Sequence, residues 1–195
     1  MSASLPELAL ALALAWGAGI RVYLVLFLCG IAGRMGWMEL PADLAVLSHP
    51  LVLGASGFML AVEFLADKVP WIDSVWDAVH TFIRIPAGAA LAAMAVNDGT
   101  AAMPVVAAIL GGAVAAGSHF TKAGARSAIN TSPEPFSNWA ASFTEDVAVP
   151  AGLWLAIAYP AVFLVLLAVG AVCAVLLLRW ILGGLGALSR RLRHQ

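Results

Sequence analysis

Asp73, Asp77, His80, Thr81 and Arg84 recur at spacings of three, four and seven, which on a helix lines them up along one face. Glu63 and Asp67, four apart, make a second stripe that is wholly acidic. His119, Lys122 and Arg126 make a third, basic throughout once the imidazole is protonated. Glu145-Asp146 add two acids, Arg21 stands deepest within an apolar run, and Lys68 and Asn130 lie beside the stripes. Turned inward together, these groups would form a nearly charge-balanced polar centre. Such a centre suits a zwitterionic or anionic solute, or a proton in transit. Arg21 is expected to meet Asp77, Asp146 or Glu63.

Two other chemistries fit the same residues. Asp77-x-x-His80 has the carboxylate–imidazole spacing of helical-bundle metal sites, but no second copy accompanies it. Asp77 and His80 with Glu145 or Asp146 could also serve as acid and base at a membrane face. There is no Gly-x-Ser-x-Gly, His-Glu-x-x-His or Walker loop, so an enzyme is the secondary reading, and no metal or cofactor is expected. The third option is a salt-bridge network that only fixes helix packing in a non-transporting assembly protein.

The surroundings explain why these charges matter. Of 195 residues, 63% are hydrophobic and 11% charged, with a mean hydropathy of +0.96. Soluble domains carry about 25% charged residues. The composition excludes an ordinary cytosolic enzyme, a disordered chain and a disulfide scaffold, and a net charge of −1 without a basic face excludes nucleic-acid binding. A charge at the centre of a membrane helix costs about 2.5–3.5 kcal/mol on insertion scales, so it persists only when paired, near an interface or lining water. Cys29 and Cys173 read as two small buried hydrophobes.

The elements that must position these groups are six helices, at about 5–33, 50–67, 74–96, 101–127, 136–158 and 161–183. This is an all-α polytopic bundle, a single transmembrane domain over 1–195 with a basic tail at 184–195. Asn97-Asp98-Gly99-Thr100 reads as a turn, and Asn130-Thr131-Ser132-Pro133-Glu134-Pro135 as a loop. The apolar stretch after Glu7 lacks a positive lead and reads as a retained helix rather than a signal peptide. Lys68, Lys122, Arg126 and the tail Arg190, Arg191 and Arg193 fall on one side, giving an N-in/C-in arrangement. A re-entrant hairpin over 5–33, or Pro160 as a mere kink, would change the count. Two hairpins, 50–96 and 101–158, read as a repeat: each carries Ser and Trp (Ser74, Trp76; Ser137, Trp139) and then Pro-Ala-Gly (Pro86–Gly88; Pro150–Gly152). Trp71, Trp76 and Trp139 suit interfacial anchors. Small residues between Ala87 and Gly117 allow close helix contact, within the bundle or in a homo-oligomer. The expected partners are the lipid bilayer and a small polar or ionic solute.

The strings Glu63–Asp73, Trp76–Arg84 with Pro86–Gly88, Thr121–Arg126, Asn130–Trp139 and Glu145–Val147, together with Gly19–Tyr23, resemble the bacterial membrane family catalogued as domain of unknown function 4126. The resemblance covers nearly the whole chain apart from its tail. It implies a multi-pass inner-membrane protein and brings no assigned activity.

Overall fold

The structure, a computed structural model, describes residues 4–96, 100–131 and 136–192, with residues 70, 177, 178 and 180–192 as backbone only. The described residues form six α-helices and one 3-10 helix, with no strand among them. In order they are α1 (Leu5–Arg34), the 3-10 helix (Ala42–Ser48), α2 (Pro50–Ala66), α3 (Pro70–Met94), α4 (Ala102–Ile129), α5 (Phe136–Ala158) and α6 (Pro160–Leu192). The all-α expectation holds. Helix α3 starts before the expected residue 74 because Pro70 suits a first helical position, where its missing N–H is no loss. Helix α6 runs past 183, into the basic tail. Of the expected turn at 97–100 and loop at 130–135, residues 97–99 and 132–135 lie outside the described residues, as does Arg193, while Arg190 and Arg191 are backbone only.

Helix α1 opens with a reciprocal cap between Ser4 and Glu7 and breaks in its middle, where Arg21 adopts φ −143° and ψ 75°. A straight helix would hold residues 17 and 25 about 12 Å apart. Here a Cβ on Gly17 would lie 2.8 Å from Val25 Cγ2, so the two halves of α1 fold back on each other. The first half runs parallel to α4: Ala15 meets Gly111, Gly19 meets Ala115, and Lys122 reaches the carbonyl of Ile20. It runs antiparallel to α5, with Trp16 on Gly152 and Arg21 on Ser142. The second half runs antiparallel to α2, pairing Phe27 with Gly57 and Gly30 with Leu53.

Helices α3 and α4 form an antiparallel hairpin closed by small residues. Cβ atoms added at Gly88 and Gly111 would collide with Ala115 and Ala92 respectively. Gly111 is further boxed in by the Gly88 carbonyl at 3.0 Å, which is backbone and cannot rotate away. Gly88 and Gly111 therefore serve contacts within the chain. Gly111→Val should lower the melting temperature in detergent, at an overpacking cost of about 1–3 kcal/mol. Gly112→Ala, whose added carbon would meet only Ala89 Cβ at 3.5 Å, should leave it unchanged or slightly higher.

Burial inverts the pattern of a water-soluble domain. Arg21, Glu63, Asp67, Asp73, Arg84 and Asn138 are fully buried, while Phe82 is 83% exposed and Leu51 77%. Trp37, Trp71, Phe58, Phe136 and Phe143 also face outward. Cys29 is buried as expected, whereas Cys173 lies on the outward face of α6. By length and composition two helices, Leu5–Arg34 and Ala102–Ile129, suffice to cross a membrane, or three if Ala42–Ser48 and Pro50–Ala66, bent by 67°, are one span.

Candidate functional site

Five helices bring their polar groups to one buried network. Its centre is Arg21, placed by the break in α1. The guanidinium lies 2.8 Å from Asp67 at the end of α2, 3.1 Å from Asp146 and 3.4 Å from Glu145, both on α5. It also donates to the Ser142 hydroxyl at 2.8 Å and the Ser142 carbonyl at 3.1 Å. Of the three expected partners it meets Asp146. Asp77 and Glu63 instead take Arg84, at 2.6 and 2.7 Å. Sequence spacing could not find this exchange, because it depends on which turn of α3 faces α2.

Helix α4 supplies the remaining cations. Lys122 lies 3.1 Å from Glu145 and 3.6 Å from both Asp67 and Asp77. Arg126 donates to both Glu145 carboxylate oxygens, at 2.9 and 3.2 Å, and to the Asn138 side chain and carbonyl. It also stands 3.5 Å from Asp67 and 3.9 Å from Asp73. Asn130 donates to Asp73 and Ser74, both at 2.9 Å, tying the end of α4 to the start of α3. Ser142 and Asn138 were missed in the sequence. Their only signal is a helical register shared with Glu145, which is easily overlooked in uncharged residues.

Two histidines border the network without joining its ion pairs. His119 contacts the Thr81 hydroxyl at 2.7 Å. His80 stands 2.8 Å from the Trp76 carbonyl and 3.1 Å from the Tyr23 hydroxyl, and it stacks on the Trp76 ring at 4.1 Å. Trp76 therefore packs on His80, unlike Trp71, which is exposed, as an interfacial anchor would be. Asp77 and His80 turn to different partners, and among the described residues no three His, Cys, Asp or Glu side chains converge as metal ligands. Lys68, in the turn after α2, sits over the Phe64 ring at 3.4 Å, and partial burial holds its ammonium below the usual lysine range.

The electrostatics are strained in a definite direction. Four cations (Arg21, Arg84, Lys122, Arg126) face six carboxylates (Glu63, Asp67, Asp73, Asp77, Glu145, Asp146). Buried carboxylates need hydrogen bonds to offset lost hydration. Yet neither Asp67 oxygen accepts a well-aligned hydrogen bond from a protein group, nor do Glu63 Oε2, Asp73 Oδ1 or Asp77 Oδ2. A proton or a cation brought into the network reduces the acid excess. Glu145 and Asp146 are the most accessible of its carboxylates, at 15% and 22% side-chain exposure.

An all-helical chain with a charged interior, an apolar exterior and a centrally broken helix defines the class. Residues 8–180 match the family described as Domain of unknown function (DUF4126), and the chain belongs to that family. No curated protein and no solved structure matches it.

Proposed function

We propose that the chain is an integral membrane protein that moves a small polar or charged solute, coupled to protons, through the network around Arg21. The observation that carries this reading is the inversion of burial: charged side chains inside, large apolar ones outside. Water would not stabilise that distribution, and lipid would. Helices α3, α4, α5 and α6 cross the bilayer, α2 crosses with the 3-10 helix, and α1 dips in and returns. Irregular backbone at membrane depth is tolerated where protein surrounds it or where it lines a cavity. Broken helices of this kind build the binding sites of many transporters.

The basic groups Lys68, Lys122 and Arg126 and the terminal arginines put the α2–α3 and α4–α5 connections on the cytoplasmic side of a bacterial inner membrane. The first half of α1 runs parallel to α4, so the amino terminus belongs on the opposite, outer side. This reading differs from the N-in expectation, which rests on six full passes. Gly88 and Gly152 both pack on residues 15–16, which supports reading the hairpins 50–96 and 101–158 as a repeat around α1.

Asp146→Asn tests the coupling. Arg21 keeps Asp67 and Glu145 in that variant, so the fold should survive. In liposomes the wild type should dissipate an imposed pH gradient when a transported solute is present, and Asp146→Asn should do so about tenfold more slowly at an unchanged melting temperature. Wild-type gradients as stable as those of empty liposomes across protons, small anions and amino acids would leave the network a packing device.

A further inference from the structure

Helices α3 and α4 touch closely at Gly88 and Gly111 and are tied again, through longer side chains, at Thr81–His119 and at Asn130. Between them lies a cavity of about 170 Å³. Its buried wall carries Asp77, Arg126 and His119, and its other polar groups are the hydroxyls of Ser74, Thr81 and Ser127. The rim is kept open by two small side chains, Ala78 and Ala123. Val75, Val79, Phe82 and Phe120 are exposed on the same two helices. The cavity thus connects the network sideways with the surroundings of the bundle.

We infer that this α3–α4 cleft is a lateral binding site for a compact zwitterion, one ammonium joined to one anionic group. The inference rests on the transport reading above and names the solute class. Asp77 is 3% exposed and lines the cavity, and its Oδ2 accepts no hydrogen bond from the protein while Oδ1 is held by Arg84. A buried carboxylate oxygen in that state seeks a donor, and an ammonium supplies one. Arg126, on α4, adds positive charge to the facing wall while Glu145 and Asn138 hold most of its donors, and the Ser127 hydroxyl stands beside it. A simple cation would satisfy Asp77 but bring its charge up to the Arg126 wall with no anion of its own; a simple anion would leave Asp77 unsatisfied. A molecule carrying both charges satisfies both walls. The same pair of charges occurs on a free amino acid and on an aminoalkyl phosphate lipid headgroup.

The test uses purified full-length protein and four soluble probes: glycine, phosphoethanolamine, ethanolamine and acetate. Glycine or phosphoethanolamine should raise the melting temperature at concentrations where ethanolamine and acetate do not. Ala123→Trp and Ala78→Trp, which fill the rim, should abolish the rise. A lipid source gives a different pattern. Soluble probes then have no effect, but nanodiscs of phosphatidylethanolamine stabilise the wild type over phosphatidylcholine, whose quaternary ammonium cannot donate, and Ala123→Trp loses that difference. Ethanolamine or acetate matching the zwitterions would overturn the inference. So would a shift that survives both tryptophan variants, or no stabilisation by soluble probes or phosphatidylethanolamine. Proton flux by the wild type is read independently, so a failed zwitterion site leaves the transport reading standing, and a flux-inactive protein does not mask binding.

Discussion

Arg21→Ala should abolish most of the folded yield, and what survives should melt far below the wild type in detergent. Arg21 is fully buried and is the cation shared by Asp67, Glu145 and Asp146. Removing one partner of a buried ion pair costs about 3–5 kcal/mol, because the charge left behind has neither water nor a counter-ion. Asp67 keeps Lys122 and Arg126, at 3.6 and 3.5 Å, and Asp146, at 22% side-chain exposure, keeps partial hydration, so the cost falls towards the lower end of that range. The helix break adds to the loss, since the guanidinium fixes the turn of α1 to α5 through Ser142. Arg34→Ala is the matched control. Arg34 is exposed at the end of α1 and makes one long contact, to the Ser48 carbonyl at 3.5 Å, so its loss should shift stability by no more than about 0.5 kcal/mol. A double-mutant cycle between Arg21→Ala and Asp67→Asn should show coupling of about 0.5–3 kcal/mol. Equal behaviour of Arg21→Ala and Arg34→Ala would mean that Arg21 is hydrated and anchors nothing.

Much of the fold was legible because apolar runs and punctuation act locally. Pro50 and Pro160 mark helix starts, whereas Pro70 reads as loop, and the small residues of α3 and α4 announce a close contact. The three polar stripes were legible for the same reason: helical spacing alone fixes which side chains share a face. Pairing across helices was not. Which carboxylate meets Arg21 depends on the rotation and depth of five helices, and no local signal carries that. The length of 5–33 left a re-entrant hairpin open, but the position of the break at Arg21 was hidden. Gly17 and Gly19 precede it in an otherwise uniform apolar run, and neither glycine marks the turn. The fold-back is a tertiary choice, stabilised by Val25 seated against Gly17 and by Lys122 taking the Ile20 carbonyl that the broken helix leaves open. The 3-10 helix at Ala42–Ser48 escaped notice because its seven residues carry no strong period.

Everything proposed for the network depends on α1 entering the bilayer and turning back at Arg21. Single cysteines at Ser4, Thr100 and Thr131, in a background with Cys29 and Cys173 replaced, report that directly. All three positions are exposed. Ser4 opens the half of α1 that runs parallel to α4, whose start lies next to Thr100, whereas Thr131 follows the opposite end of α4. A membrane-impermeant maleimide applied to intact bacterial cells should label Ser4→Cys and Thr100→Cys, and should reach Thr131→Cys only after permeabilisation. The contrast is all-or-none, because a charged maleimide does not cross the hydrocarbon core. Labelling of Ser4→Cys together with Thr131→Cys, and not with Thr100→Cys, would make α1 a single full crossing and would contradict the re-entrant site.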